Sequence, residues 1–272
     1  MGANMQSVAI EEIQQESPIL KVENLSVIRS GKIVLKDINL TVHKGEFVGL
    51  VGPNGSGKST LLLAILGVLK AQKGEIVIYG NRPLSRKLYG RIGWVSQAAA
   101  NLPREVRITV RELVQLGTLN ANNMFSWADN GRSQRVDQAI KMVGLEDVEN
   151  IDISRLSGGQ RQRAVIARAL ATEAEFILLD EPLVGMDRDA RNSLLKLLDQ
   201  LCHDSDKTIL MVSHDLTAIR QTAHRMVFLE EEIRFDGPTE NFPDLDTLAG
   251  LRGIEPVHGE AHSHQHNHSK ED

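Results

Sequence analysis

The chain has 272 residues, of which 41% are hydrophobic, and it carries a formal net charge of −5 at pH 7. This length can bury a substantial core, and one domain with tails is the simplest arrangement. The acidic balance argues against a general nucleic-acid-binding protein, which normally has a surplus of basic residues. The single cysteine, Cys202, excludes an internal disulfide and suits a reducing compartment.

Neither a membrane-spanning segment nor a secretory signal is expected. The longest relevant apolar run, at residues 61–69, is well short of the roughly 20 residues that cross a bilayer. Residues 1–17 contain glutamates and glutamines, whereas a signal peptide has a basic start and an apolar centre. We therefore expect a cytoplasmic protein that reaches a membrane only through a partner.

The first third of the chain is typical of β-structure. Residues 1–18 are polar, which predicts a flexible N-terminal extension. Two segments, ILKVENLSVI from Ile19 and KIVLKDINLTV from Lys32, alternate between apolar and polar residues and predict strands around a turn at Ser30 and Gly31. Further predicted elements are a buried strand at residues 46–51, a leucine-rich helix at 60–70, and strands at 75–79 and 92–95.

The pattern then becomes helical. Between Gln97 and Gly158 it predicts helices at 109–119 and 133–143, so we expect a helical subdomain at about residues 98–160 inserted into an α/β core. Later predicted elements are helices at 157–172 and 188–202, strands at 176–179 and 208–212, and a hairpin at 226–235. These elements predict one domain over residues 19–250, followed by a disordered, histidine-rich tail at 251–272.

A glycine-rich sequence, GPNGSGKS, follows the strand predicted at residues 46–51. Its glycines let backbone N–H groups turn toward a phosphate, and the helix behind it presents its positive end there. Lys58 would reach the β- and γ-phosphates of a nucleotide, Ser59 would bind Mg²⁺, and Thr60 would bond the α-phosphate. The predicted ATP-binding residues are Gly52, Pro53, Asn54, Gly55, Ser56, Gly57, Lys58, Ser59 and Thr60.

Two later strands end in polar side chains. The sequence LLDEP places Asp180 at a strand end, where its carboxylate can hold Mg²⁺ through water. On its own, the pair Asp180 and Glu181 is more often a solvated strand end, but the upstream phosphate loop favours a functional interpretation. His214 follows another apolar strand, where a neutral imidazole can bond a γ-phosphate, although a lone histidine there is usually structural.

The sequence LSGGQ occupies residues 156–160. Ser157 is a helix cap, and Gly158 and Gly159 expose N–H groups at the positive end of the helix that follows. Such a sequence can be only a tight helix start, or it can bind a phosphate.

In this order, GPNGSGKS, LSGGQ, LLDEP and VSHD resemble the nucleotide-binding subunit of an ATP-binding cassette (ABC) transporter, over about residues 19–237. The resemblance implies an α/β fold of the P-loop NTPase class, with an antiparallel β subdomain and an inserted α-helical subdomain. It also implies an ATPase that uses ATP and Mg²⁺ and energises transport through separate permease subunits. We therefore expect the chain at the cytoplasmic face of the membrane, bound through its permease.

The resemblance assigns roles to individual residues. It implies that Glu181 is the catalytic base, that His214 senses the γ-phosphate, and that Gln97 contacts Mg²⁺ and begins the segment facing the permease. The implied Mg²⁺ ligands are Ser59, Gln97 and Asp180. The signature residues, which would contact the ATP of the opposite subunit in a homodimer, are Ser157, Gly158, Gly159 and Gln160. Asp187 resembles an aspartate at the same dimer seam.

One position departs from the family pattern. The family usually has an aromatic residue on its first β-segment that stacks on adenine, whereas this chain has Arg29 there and no Tyr, Phe or Trp before Phe47. A guanidinium can also stack on a base, but Arg29 can equally be a solvated loop residue. Adenine selectivity is therefore an open question at the sequence level.

Two features suggest a metal cargo. Five histidines in the tail, His258, His262, His264, His266 and His268, can bind Zn²⁺ without a folded scaffold, or they can belong to a polar tail with no role. The segment from Gln97 through LPREVRITVRELVQLG resembles zinc and manganese uptake cassettes. We expect uptake of zinc or manganese, with an extracytoplasmic metal-binding protein in the same system and no nucleic-acid partner.

Two alternatives remain open at this stage. A soluble ABC ATPase that powers no transport, such as one in iron–sulfur cluster assembly, is compatible with this length. An ABC importer of a non-metal substrate would carry the same ATP motifs.

Overall fold

A computed structural model describes residues 17–99, 107–119 and 131–244. Residues 1–16 of the predicted extension and the whole predicted tail lie outside these ranges. The strands are β1 (Leu20–Arg29), β2 (Lys32–Val42), β3 (Phe47–Val51), β4 (Lys73–Ile78), β5 (Ile92–Val95), β6 (Phe176–Asp180), β7 (Thr208–Ser213), β8 (Arg225–Glu230) and β9 (Glu232–Pro238). The helices are α1 (Lys58–Ile65), α2 (Val110–Gly117), α3 (Arg132–Met142), α4 (Gly158–Leu170), α5 (Arg188–Ser205) and α6 (Leu216–Arg220).

Three strands form an antiparallel sheet in the order β2-β1-β4. The turn between β1 and β2 uses Ser30 and Gly31, whose φ values of 51° and 77° match the right-handed twist of a tight hairpin. This sheet is the expected antiparallel subdomain, and it brings the end of β1 next to the phosphate loop.

Six strands form the second sheet, in the order β5-β6-β7-β3-β8-β9, and all neighbours are parallel except β8 and β9. The central strands β3, β6 and β7 are buried at every position, as expected for parallel strands covered on both faces. Their alternating side chains enter two separate cores. From β6, Phe176 and Leu178 pack toward α1 and the antiparallel sheet, whereas Ile177 and Leu179 pack toward α2–α5.

Helices α2, α3 and α4 pack on one another. In the sequence they lie between β5 and β6 of the larger sheet. Thr109 and Glu112 form a capping box that begins α2. Arg111 donates to Asp137 at 2.6 Å and to Glu149 at 2.7 Å, which links α2 to α3 and to the segment behind it. Among the described residues, no helix has both the length and the apolar character needed to span a bilayer.

One helix prediction was wrong at its C-terminal end, and one short helix was not predicted. The helix predicted at 60–70 is α1, which ends at Ile65, because Gly67 adopts a φ of 75° and its Cβ would lie 2.8 Å from Leu84. The short helix α6 was not predicted, although Asp215 caps it by accepting from the Ala218 N–H at 3.0 Å.

Candidate nucleotide-binding site

The carboxyl ends of three adjacent parallel strands meet at one edge of the larger sheet. Val51 at the end of β3 pairs with Ser213 of β7, and Asp180 at the end of β6 pairs with Val212. The loops that follow these strands therefore lie side by side, where open α/β sheets commonly bind ligands.

The phosphate loop leaves β3 in a conformation that requires glycine. Gly52 has a φ of 155°, and a Cβ there would lie 2.1 Å from the Leu229 carbonyl oxygen. Gly57 has a φ of 101°, and a Cβ there would lie 2.6 Å from Leu35. Helix α1 begins at Lys58, so its first N–H groups and the positive end of its dipole lie at this loop.

The Lys58 side chain closes over the loop that precedes it. Its Nζ donates to the carbonyl oxygens of Gly52 at 2.9 Å and Pro53 at 2.8 Å. Burial lowers the pKa of Lys58, and the nearby carboxylates of Glu181 and Asp180 oppose this shift. The result is a largely buried ammonium group close to both carboxylates.

Ser59 and Asp180 are in direct contact, since the Ser59 hydroxyl donates to Asp180 Oδ1 at 3.1 Å. Asp180 is only 9% exposed, and burial raises its pKa, while Ser59 and Lys58 act in the opposite direction. A buried carboxylate beside a hydroxyl is a set of hard oxygen donors that suits Mg²⁺. Gln97 lines the same cleft.

Glu181 and His214 also lie in direct contact. His214 Nδ1 is 2.8 Å from Glu181 Oε2, and the His214 backbone N–H donates to the same oxygen at 3.4 Å. Glu181 has a positive φ of 51°, and its N–H donates to the Val212 carbonyl at 3.0 Å. The Glu181 side chain is 11% exposed and that of His214 is 58% exposed, so the carboxylate lies inside the cleft and the imidazole at its rim.

Most of these groups line a cleft of about 650 Å³, whereas the predicted site residues Gly52, Pro53 and Asp180 are not part of its lining. The predicted residues that line it are Arg29, Asn54, Gly55, Ser56, Gly57, Lys58, Ser59, Thr60, Gln97, Glu181 and His214. Sequence reasoning missed Ser30, Val34 and Val184. The pairing of β1 with β2 could have indicated Val34, which lies near the start of β2 and whose side chain reaches Gly57.

Arg29 lies at the end of the cleft formed by the β1–β2 hairpin. Its side chain has no hydrogen-bond or ion-pair partner among the described residues, and the described lining contains no Tyr, Phe or Trp. Its guanidinium is therefore free to face a bound base, with Val34 as an apolar neighbour in the same lining.

The signature residues Ser157, Gly158, Gly159 and Gln160 do not line this cleft. Ser157 Oγ accepts from the Gln160 N–H at 3.2 Å, and Gln160 Oε1 accepts from the Ser157 N–H at 3.0 Å, so the two residues form a capping box at the start of α4. A Cβ at Gly159 would lie 2.8 Å from the Ala190 side chain, whereas one at Gly158 would lie 3.6 Å from the Gly185 carbonyl. Gly159 therefore serves the packing of α4 on α5, and Gly158 does not.

Asp187 lies outside the cleft lining as well. Its Oδ1 accepts from the Ala190 N–H at 2.8 Å and caps α5. The same side chain therefore has a structural use that the sequence comparison alone does not reveal.

Comparisons with known proteins identify the family of the chain. The ABC transporter family model matches residues 35–184. A zinc uptake system ATP-binding protein of Listeria innocua is 38% identical over 240 residues, covering 86% of this chain and 93% of that protein. A manganese transport system ATP-binding protein of Halalkalibacterium halodurans is 36% identical over 222 residues, covering 82% of this chain and 87% of that protein.

Solved structures agree with the fold. A dimeric ATP-binding cassette in a post-hydrolysis state, bound to ADP and Pi, is 32% identical with a TM-score of 0.67, covering 82% of this chain and 100% of that one. The family match, the relatives and the paired strand ends lead to one conclusion: this chain belongs to the ABC transporter family and is one of its ATP-hydrolysing subunits.

Proposed function

We propose that this chain energises the uptake of a divalent metal ion, zinc or manganese, through a separate membrane permease. The observation that carries the proposal is its similarity, over most of both chains, to relatives named for zinc uptake and for manganese transport. The phosphate loop, Glu181 and His214 share one cleft, with Asp180 in contact with Ser59, and this arrangement supports the same proposal. The relatives favour this function over a soluble cluster-assembly ATPase and over an importer of non-metal substrates.

In this proposal, the residues at the strand ends divide the work of hydrolysis. The N–H groups of the phosphate loop and Lys58 would hold the phosphates, and Ser59, Asp180 and Gln97 would hold Mg²⁺. When bound, Mg²⁺ would supply positive charge to the phosphate oxygens. Glu181 would orient and polarise the attacking water. His214 contacts the Glu181 carboxylate at 2.8 Å and positions it, and the imidazole would face the γ-phosphate.

The signature residues complete the site of a second copy in the same proposal. Since they lie outside their own cleft, we expect the phosphate that they bind to come from another subunit. The N–H groups in the first turn of α4 and the positive dipole end of this helix would provide the binding chemistry. Two ATP molecules would then join two chains head to tail, with Asp187 at the seam, and hydrolysis would separate them.

The permease would dock on a different face, at a groove of about 680 Å³ between the start of β5 and the end of α2. Tyr89 and Leu119 line this groove and are 64% and 41% exposed. Exposed apolar side chains around a groove are typical of a protein contact surface. Peripheral attachment to the cytoplasmic face of the membrane through this surface accounts for a transport role without a spanning helix in the described residues.

The histidine-rich tail would buffer metal beside the permease. Its histidines His258, His262, His264, His266 and His268 lie outside the described residues, so the proposal rests on their spacing and on the chemistry of imidazole. Replacing all five by serine should reduce the number of Zn²⁺ ions bound per chain by at least one. An unchanged stoichiometry would contradict the tail proposal alone. An extracytoplasmic metal-binding protein would deliver the ion to the permease in this system.

Metal accumulation in cells tests the proposed function. Cells that lack this chain should take up less radioactive zinc or manganese, and the unchanged chain should restore uptake. The Glu181→Gln variant should fail to restore it, whereas Glu240→Gln, at an exposed carboxylate remote from the cleft, should restore it fully. Equal accumulation of both ions with and without the chain would contradict a role in metal uptake.

A further inference from the structure

We propose that Asp199, His203 and His224 form a binding site for one Zn²⁺ ion, separate from the ATP cleft. One ligand atom from each of the three side chains lies within 4.8 Å of the other two. The inference does not depend on metal uptake, because it rests only on the geometry of the folded chain.

Helix α5 supplies two of the three ligands. Asp199 and His203 are four residues apart and therefore lie on the same face of the helix, with Asp199 Oδ1 and His203 Nε2 3.4 Å apart. His224, in the connection between α6 and β8, places its Nε2 3.8 Å from the same carboxylate oxygen. The centroids of the two imidazole rings are 5.2 Å apart.

These distances are close to those of a zinc site. Zn–N and Zn–O bonds of about 2.0–2.2 Å place neighbouring ligand atoms about 3.3 Å apart in a tetrahedral shell. The side chains of Asp199, His203 and His224 are 40%, 63% and 38% exposed, so small rotations can close the remaining gaps and water can supply the fourth ligand. Two imidazoles and a carboxylate are a ligand set that zinc uses in proteins.

The local charge also favours a cation. Within the described residues, Asp199 has no lysine or arginine partner, and its ion-pair contacts are the two histidines. His203 lies in the last turn of α5, where the free carbonyl groups carry the negative end of the helix dipole. A bound cation would therefore lie next to one carboxylate and the negative end of α5. No lysine or arginine of the described residues would compete with it for Asp199.

Zinc binding would change one backbone hydrogen bond. The Phe47 N–H donates to His224 Nδ1 at 3.3 Å, which places the proton of the neutral ring on Nε2. Zinc at Nε2 requires that proton to move to Nδ1, so the bond from Phe47 must break. Phe47 begins β3, the strand that leads into the phosphate loop. The Phe47 amide therefore reports occupancy of the site.

The experiment uses the full chain with the five tail histidines replaced by serine, titrated with ZnCl₂ in the absence of nucleotide. We expect one Zn²⁺ per chain by calorimetry. His203→Asn and Asp199→Asn should each raise the dissociation constant at least about tenfold, since even loss of an outer-shell partner costs that much. Asp204→Asn, at an exposed carboxylate next to the cluster on the same helix, is the matched control and should leave binding unchanged.

A second readout follows the Phe47 amide by NMR. Its resonance should shift as zinc binds, and the shift should be absent in the His203→Asn variant. Failure of the tail-substituted chain to bind one Zn²⁺, or binding that His203→Asn and Asp199→Asn both leave intact, would overturn the proposal. In those cases the three residues would form only a helix-surface ion-pair cluster. Circular dichroism should show that each variant is folded. His203→Asn and Asp199→Asn test the site independently, because each removes a different ligand.

Discussion

The imidazole of His214 contacts the carboxylate of Glu181, with Nδ1 2.8 Å from Oε2. The two residues come from the ends of adjacent strands, β7 and β6, and are 33 positions apart in the chain. His214, the proposed γ-phosphate sensor, is therefore linked directly to Glu181, the proposed catalytic base. If His214 moves when a γ-phosphate is lost, it would also displace the Glu181 carboxylate, which orients the attacking water.

Removal of the imidazole tests this link. His214→Ala should lower kcat for ATP hydrolysis by about a hundredfold, because Glu181 loses the group that positions it. Binding of ATP should change little, since His214 is 58% exposed at the rim of the cleft. Steady-state hydrolysis and nucleotide titration measure the two quantities. A variant with unchanged kcat would show that the contact has no role in hydrolysis.

Substitution of Asp180 should separate stability from activity. Burial raises the pKa of Asp180 above its ordinary value of 3.8, so folding disfavours the charged form, and the resulting loss of stability is present at neutral pH. Asp180→Asn removes this penalty and keeps an oxygen that can accept from Ser59. We expect the melting temperature without nucleotide to rise by about 2–4 °C for each kcal/mol recovered.

The same variant should lose Mg²⁺-dependent hydrolysis. Its stability gain should also disappear below the unfolded-state pKa, where Asp180 is protonated in both states. Thermal unfolding across the pH range measures this dependence. An Asp180→Asn variant that is less stable at neutral pH would contradict the assigned cost of burial.

The two signature glycines should respond differently to alanine. Gly159→Ala places a Cβ 2.8 Å from Ala190 and should reduce the free energy of unfolding by about 1–3 kcal/mol. Gly158→Ala should fold normally, because its Cβ meets only the Gly185 carbonyl at 3.6 Å. It should nevertheless reduce ATP-dependent dimerisation by covering the N–H groups in the first turn of α4. Denaturant unfolding and gel filtration distinguish the two effects, and equal destabilisation by both variants would contradict this division of roles.

An aromatic residue at position 29 should tighten nucleotide binding. Arg29→Tyr introduces a ring at the end of the cleft, and stacking of a base on an aromatic side chain is worth about 1–3 kcal/mol. We expect the dissociation constant for ATP to fall at least about fivefold. Lys32→Tyr, on the other side of the same turn, is the control. An affinity that does not change in Arg29→Tyr would place Arg29 outside the base contact.

The sequence predicted best the helices and strands whose ends are marked by glycine or by a helix-capping residue. Periodicity located β5 and the start of α5 to the residue, because Gly90 lies just before β5 and the capping residue Asp187 lies just before α5. It overestimated α1, since leucines continue past the point where Gly67 turns the chain. Hydrophobic periodicity could not predict contacts between residues that are far apart in the sequence. The pairing of His214 with Glu181, and the approach of His224 to Asp199 and His203, depend on which segments become neighbours in the fold.

The most direct test of the account is the mass of the Glu181→Gln variant in the presence of ATP. Without the carboxylate, ATP should bind but should not be hydrolysed, so each phosphate loop stays joined to the signature helix of a second chain. Gel filtration with ATP and Mg²⁺ should give a particle of about 60 kDa, twice the chain mass of 30.1 kDa, and it should revert to the monomer with ADP. Glu240→Gln should remain monomeric under hydrolysing conditions. A Glu181→Gln protein that binds ATP yet stays at the monomer mass would contradict the shared ATP site.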